Sequence, residues 1–369
     1  MSHSLDVDGL LSDASVRIVV CCGSGGVGKT TTAAALALRA AERHGRHVVV
    51  LTIDPARRLA QSLGLTELDN TPRAVTGMDE SAGGELSAMM LDMKRTFDEV
   101  VAAHTEPARA KEIFANPFYQ AMSSTFSGTQ EYMAMEKLAQ LRASKDWDLI
   151  VVDTPPSRSA LDFLDAPARL GRFLDGKMLR LLIAPAKAGG RSVFNLVTAS
   201  FGLFSKAVQK ILGAQLLTDL SGFVAALDSM FGGFRERSEQ TYRVLQDPQT
   251  AFLVVAAPEP DAVREAAFFA GRLGEERMPL AGLVLNRVHQ TGAAEISAAE
   301  ALAAADSIAA EFPVAADALR IHAAVAEQAE REQRVIGRFT GEFPQVPVLA
   351  IAAQATDVHD LDGLRAILA

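Results

Sequence analysis

The sequence predicts an α/β protein with a doubly wound, mostly parallel sheet and an inserted helical subdomain. Short apolar runs alternate with helical stretches along most of its 369 residues. Most of these runs are continuous, which is typical of parallel strands covered on both faces. Right-handed crossovers through the intervening helices would wind the sheet in both directions. The predicted strands are 17–22, 47–53, 86–91, 148–152, 252–257, 281–285 and 348–352.

Two stretches break this alternation and predict the helical subdomain, inserted at about 93–141 and 165–250 into a single domain of 1–369. Eight of the 18 phenylalanines fall between positions 163 and 234, about twice their even share of the chain. Two interpretations stay open. The aromatic side chains could form an ordinary helical core, or they could line a groove for a hydrophobic client or partner.

Composition excludes several functional classes. A net charge of −9 argues against a chain whose main role is binding nucleic acid. The first 15 residues are polar and acidic, unlike a signal peptide. Lys206 and Lys210 interrupt the most apolar region, so we expect no integral membrane segment. Cys21 and Cys22 lie in the first predicted strand, where buried packing residues are expected. We therefore expect a cytoplasmic protein.

A glycine-rich loop between the first predicted strand and an alanine-rich helix carries the strongest functional signal. Its spacing matches a phosphate-binding (Walker A) loop, in which backbone N–H groups surround phosphate at a helix N-terminus. Lys29 would reach the β- and γ-phosphates, and the Thr30 hydroxyl would bind Mg²⁺. The alternative is a glycine-rich turn before an ordinary helix. The predicted nucleotide-binding residues are Gly23, Ser24, Gly25, Gly26, Val27, Gly28, Lys29, Thr30 and Thr31.

Two aspartates end predicted strands and complete the predicted site. Asp153 follows the run 148–152, where a carboxylate beside the phosphate loop would hold the Mg²⁺ shell. Asp54 ends the second run and is a candidate for positioning the water that attacks the terminal phosphate. A helix N-cap or a structural turn is the alternative role for Asp54.

These motifs, in this order, resemble the arsenical-pump and tail-anchored-protein-targeting ATPase family. The resemblance rests on Gly-x-Gly-Gly-Val-Gly-Lys-Thr-Thr at 23–31, Thr-x-Asp-Pro-Ala at 52–56 and Val-Val-Asp-Thr-x-Pro at 151–156, and extends to 285–287, 347 and 360–364. It implies that Asp54 orients the attacking water and that Asp153 opens the second switch segment. It also implies that Asn286 reads the adenine edge, so that the nucleotide is ATP. Arg287 and the residues from Pro347 onward are implied to complete the base site.

The chain departs from the family pattern at several positions. The family has a second lysine, which crosses to the partner subunit's nucleotide, at the position of Ser24. Arg57 and Arg58 replace a histidine and a small polar residue, and either arginine is a further candidate for the missing charge. The cysteines that bind arsenite or clamp zinc have no counterpart here.

The leading interpretation is a cytoplasmic, Mg²⁺-dependent ATPase that works as a dimer and moves its helical subdomain. The chain has one phosphate loop, so a second loop would come from another subunit. That subunit would be a second copy or a paralogue that carries the lysine. The alternative is a regulatory subunit that binds ATP and hydrolyses it poorly. A partitioning ATPase would need a basic face, and an iron–sulfur reductase would need cluster cysteines.

Overall fold

The structure is a computed structural model that describes residues 4–54, 57–117, 119–120, 129–155, 240 and 242–368. The chain divides into two compact units. The first comprises Met1–Met90, Leu141–Leu161 and Val244–Ala369, and the second comprises Leu91–Gln140 and Asp162–Arg243. Most of the phenylalanine-rich stretch predicted at 165–250 lies outside the described residues, so the inserted subdomain stays a prediction.

A single mixed sheet forms the centre of the first unit. Its strands are β1 (Ile18–Cys22), β2 (His47–Thr52), β3 (Arg73–Ala74), β4 (Glu85–Met90), β5 (Leu149–Asp153), β6 (Thr250–Ala256), β7 (Leu280–Val288) and β8 (Val348–Ala352). Their order across the sheet is β3-β4-β2-β5-β1-β6-β7-β8. All neighbours pair in parallel except β3 and β4.

The predicted fold class is confirmed. Strands extend to both sides of β1, as a doubly wound sheet requires. Every residue of β1, β5 and β6 is buried, which explains why these strands show as continuous apolar runs in the sequence. The two-residue strand β3 was not predicted, because a segment this short has no periodicity to detect.

Ten helices occur among the described residues with established bounds. They are α1 (Val7–Ser12), α2 (Lys29–His44), α3 (Arg58–Ser62), α4 (Met93–His104), α5 (Pro107–Ala115), α6 (Thr129–Ser144), α7 (Pro260–Glu275), α8 (Ala298–Ile308), α9 (Pro313–Glu342) and α10 (Leu361–Ile367). None of these helices has both the length and the apolar content that crossing a bilayer would require.

Helix α2 places the glycine-rich loop against the sheet. Its alanine-rich face is fully buried, because small side chains allow the helix to approach the strands closely. The helix begins after Gly28 and ends at Gly45, and both glycines have left-handed backbone angles, with φ of 94° and 62°. Gly45 is the usual helix terminator in this conformation. Cys21 and Cys22 are buried beneath this helix in β1, as predicted.

The alanine- and glutamate-rich stretch 297–332 forms more than one helix. It contains all of α8 and part of α9, separated by a turn before Pro313. Glu332 in α9 is buried, and its carboxylate accepts hydrogen bonds from the backbone N–H of His289 at 2.8 Å and from Gln328 at 2.8 Å. The residue therefore anchors the segment that follows β7, which sequence reasoning did not detect.

The described part of the second unit contains an aromatic cluster. Tyr119 is fully buried, and its ring contacts those of Phe97 and Phe114 at centroid distances of 5.5 and 5.7 Å. Lys137 pairs with Glu99 at 2.7 Å. These aromatic side chains pack against one another, and the two interpretations of the phenylalanine-rich stretch stay open.

Candidate functional site

The glycine-rich loop borders a cavity of about 600 Å³ at the carboxyl edge of the first unit's sheet. This edge is where α/β proteins bind their ligands, since the loops that leave parallel strands converge there. The cavity is large enough for a nucleotide. Its lining residues are Gly25, Gly26, Gly28, Lys29, Thr30, Thr31, Asp54, Arg58, Gln61, Ser62, Arg287, Asp357, Val358 and His359.

Two glycines of the loop are required by their surroundings. A Cβ on Gly28 would lie 2.1 Å from Nδ2 of Asn286, and φ at this position is +94°. A Cβ on Gly23 would lie 2.1 Å from the carbonyl oxygen of Val255. Neither position admits a side chain, so the loop can lie against Val255 of β6 and Asn286 of β7 only with glycine there.

Lys29 is held inside the loop. Its side chain is buried, and Nζ donates to the carbonyl oxygen of Ser24 at 2.8 Å. Burial lowers the pKa of Lys29, while the nearby Asp153 carboxylate opposes that change. The ammonium group thus lies across the loop, where a bound phosphate would replace the carbonyl as its partner.

Asp153 accepts two hydroxyl hydrogen bonds at the end of β5. Thr30 Oγ1 donates to Oδ2 at 2.8 Å, and Thr52 Oγ1 donates to the same oxygen at 2.9 Å. Burial raises the pKa of Asp153 to about 6, although both hydroxyls and Lys29 favour its ionised form. The predicted pairing of Thr30 and Asp153 is therefore present in the geometry.

The other oxygen of Asp153 lacks a protein partner. Oδ1 is buried and accepts no hydrogen bond from any residue that the structure describes. A buried carboxylate oxygen without a partner costs free energy that a cation would offset. Hydroxyl and carboxylate oxygens suit Mg²⁺, which keeps several water ligands and binds through few protein groups. The donor set of Thr30 and Asp153 therefore fits Mg²⁺.

Thr52, which sequence reasoning missed as a site residue, connects Asp54 to this centre. The backbone N–H of Asp54 donates to Thr52 Oγ1 at 3.2 Å, and that hydroxyl in turn donates to Asp153. Asp54 itself lines the cavity. A change at the Asp153 carboxylate can thus reach the Asp54 backbone through a single side chain.

Asn286 and Arg287 lie on the opposite side of the loop, at the end of β7. Asn286 Nδ2 donates to the carbonyl oxygen of Val27 at 2.9 Å, so the side chain holds the phosphate loop in place. Arg287 has a left-handed backbone, with φ of +64°, and lines the cavity. The role predicted for Asn286 at the adenine edge stays a prediction.

The structure does not bring Pro347 to the cavity. Pro347 precedes β8, and its carbonyl oxygen accepts from Leu283 N at 2.8 Å, at the beginning of that parallel strand. The residues that line the cavity follow β8 instead: Asp357, Val358 and His359. The nucleotide-binding role predicted for Pro347 stays a prediction, and the residues after β8 reach the cavity because the site forms where parallel strands end.

Ser24, the position where the resemblance implies a lysine, is partly buried. Its Oγ is one of three buried side-chain atoms without a hydrogen-bond partner among the described residues. The hydroxyl therefore contributes nothing to the loop in this conformation, and the position carries no charge.

Comparison with known proteins agrees with this geometry. The sequence profile of the anion-transporting ATPase family matches residues 16–312, which is most of the chain and includes every residue of the phosphate loop. The chain belongs to this family.

Curated proteins similar to this chain are also ATPases by name. ATPase GET3 of Malassezia globosa is 29% identical over 165 residues, 45% of this chain and 46% of that protein. ATPase get3 of Schizosaccharomyces pombe is 31% identical over 175 residues, 47% and 49% of the two chains. ATPase get3 of Schizosaccharomyces japonicus is 24% identical over 283 residues, 76% and 78%. The chain thus spans about half the length of the first two relatives and more of the third.

Proposed function

We propose that this member of the anion-transporting ATPase family is a Mg²⁺-dependent ATPase. It acts as a dimer and couples ATP binding and hydrolysis to movement of its helical subdomain. The observation that carries the proposal is that Lys29, Thr30 and Asp54 line one cavity beside the phosphate loop, where Thr30 also donates a hydrogen bond to the buried Asp153 carboxylate. Family membership and the ATPase relatives support it.

Each residue of the site has a separate role in the proposed reaction. Lys29 would exchange the Ser24 carbonyl for phosphate oxygens, and the loop N–H groups would surround the β-phosphate. Thr30 and Asp153 would hold Mg²⁺, which neutralises phosphate charge when bound. Asp54 would orient the attacking water, and Thr52 would keep Asp54 aligned with Asp153.

The choice of ATP and the dimeric state rest on the family resemblance. Asn286 is the residue proposed to read adenine, and its present bond to Val27 keeps it beside the loop. One phosphate loop per chain supports a second subunit, either a copy of this chain or a lysine-bearing paralogue. A hydrophobic client would bind the phenylalanine-rich stretch, most of which lies outside the described residues.

Ser24 favours a second candidate function, that of an ATP-binding subunit with slow hydrolysis. The Ser24 side chain is uncharged and has no hydrogen-bond partner among the described residues. It cannot supply a cation to a partner's nucleotide. The two candidates share the nucleotide site and differ in turnover.

Nucleotide binding and turnover of three purified variants test the proposal. We expect Lys29→Ala to weaken Mg·ATP binding at least tenfold, because the buried ammonium contacts phosphate directly. Asp54→Asn should keep binding and lose most turnover, since it removes only the group that orients water. Asp146→Asn removes a carboxylate from an exposed position outside the cavity and serves as the control.

Three outcomes separate the candidates. Turnover that disappears in Asp54→Asn, with binding retained, supports the ATPase. Tight, Lys29-dependent binding with negligible wild-type turnover supports the regulatory subunit. Binding that Lys29→Ala leaves unchanged would contradict both functions.

A further inference from the structure

Arg58 lines the nucleotide cavity with a guanidinium that forms no ion pair with any described residue. It begins α3, four positions after Asp54, and is exposed. Gln61 and Ser62, one helical turn later, line the same cavity. Residues three and four positions apart share a helix face, so this face of α3 forms one wall of the cavity.

The neighbouring Arg57 lies elsewhere. It is the N-cap residue of α3 and is not among the residues that line the cavity. The chain thus offers two adjacent cations, of which only Arg58 faces the cavity.

The sheet topology places Arg58 on a particular side of the nucleotide. The phosphate loop follows β1. On one side of β1 the sheet continues with β5 and then β2, and on the other side it continues with β6 and then β7. The carboxylate of Asp153, at the end of β5, marks the proposed Mg²⁺ position. Mg²⁺ held by Thr30 and Asp153 would neutralise charge on the terminal phosphates of a bound triphosphate, so we expect those phosphates on the β5–β2 side.

Arg58 follows β2 and so lies on the same side as that terminal phosphate. Arg287, the other arginine on the cavity wall, lies near the end of β7 on the opposite side. The two arginines therefore differ in which part of the nucleotide they can reach.

We propose that Arg58 binds the terminal phosphate of the bound nucleotide, within its own subunit, and so discriminates a triphosphate from a diphosphate. This assignment rests on the proposed function, because it assumes that a nucleotide binds in the cavity and that Mg²⁺ binds at Thr30 and Asp153. A guanidinium can donate two parallel hydrogen bonds to a phosphate and is always charged. Because Arg58 begins the segment after Asp54, its contact with the phosphate also fixes that segment in the triphosphate state.

Affinity measurements with two nucleotides test this assignment without relying on turnover. The dissociation constants of ADP and of the non-hydrolysable analogue adenylyl imidodiphosphate are measured with Mg²⁺ by isothermal titration calorimetry. The full-length variants are wild type, Lys29→Ala, Arg58→Gln, Arg57→Gln and Arg287→Gln. We expect Arg58→Gln to lose about 10- to 100-fold in affinity for the analogue and to bind ADP like the wild type.

The controls separate this contact from a general effect of charge. Arg57→Gln removes the same charge one residue away and should keep both affinities. Arg287→Gln should weaken the two nucleotides equally, because it lies away from the terminal phosphate. Unchanged ADP affinity in Arg58→Gln also shows that this variant is folded.

The outcomes distinguish a failure of Arg58 from a failure of the proposed function. If the wild type binds both nucleotides through Lys29 and Arg58→Gln weakens them equally or not at all, the assignment of Arg58 is wrong and the ATPase proposal stands. The assignment is also wrong if Arg57→Gln loses as much affinity for the analogue. If the wild type binds neither nucleotide, both proposals are wrong.

Discussion

Replacing Asp153 by asparagine should remove the pH dependence of stability that this buried carboxylate imposes on the metal-free protein. Burial raises the pKa of Asp153 from 3.8 to about 6. Between these values the folded state keeps a proton that the unfolded state has lost. The free energy of unfolding therefore falls as pH rises from about 4 to about 6, and the loss is complete above pH 6.

The size of the effect follows from the same pKa difference. A change of one pKa unit corresponds to about 1.4 kcal/mol, so ionising Asp153 costs the folded state about 3 kcal/mol. Asparagine keeps an oxygen that can accept from Thr30 and Thr52 and places an uncharged amide where Oδ1 has no partner. The buried amide group costs about 1–3 kcal/mol at every pH, and this cost cancels from the pH trend.

Urea denaturation in the presence of EDTA, at pH values from 4 to 7.5, measures the trend. We expect the stability of Asp153→Asn relative to wild type to increase by about 3 kcal/mol across this range. Asp357→Asn removes a carboxylate from an exposed position on the same cavity wall and controls for net charge. With saturating Mg²⁺ and nucleotide, the wild type should become more stable than Asp153→Asn, because only the wild-type carboxylate gains the ligand's binding energy. A stability difference that stays flat over this pH range would refute the reasoning.

Two further predictions concern the phosphate loop. Gly28→Ala should weaken ATP binding at least tenfold, because its Cβ would lie 2.1 Å from Asn286 Nδ2. Gly64→Ala is the control, since Gly64 has a φ of +68° and open space around it, so that alanine there imposes comparable backbone strain without a contact. This control variant should bind ATP normally in the same titration. Ser24→Lys should raise the ATPase rate of the isolated chain, by analogy with charges that contribute roughly 10³–10⁵ to phosphoryl transfer. If the wild type hydrolyses ATP rapidly and Ser24→Lys does not change this rate, then no charge is missing at position 24.

The sequence alone determined the features that depend on local spacing. The loop from Gly23 to Thr30 is contiguous in the chain, so its identity needed no tertiary information. The central strands were predicted to within two residues at most ends, because a strand buried on both faces must be a continuous apolar run. Asp153 and Asp54 were found because each directly follows such a run.

Only the tertiary structure decided which distant residues join that loop. Thr52 has the sequence context of any strand threonine, and its role follows from the adjacency of β2 and β5. His359 and Asp357 line the cavity because β8 runs parallel to β7 and ends at the same edge of the sheet. Local sequence patterns indicate which residues are buried and where the chain can form a turn. The order of the strands in the sheet decides which loops lie next to one another. At the centre of the sheet, that order depends on pairing between residues more than a hundred positions apart.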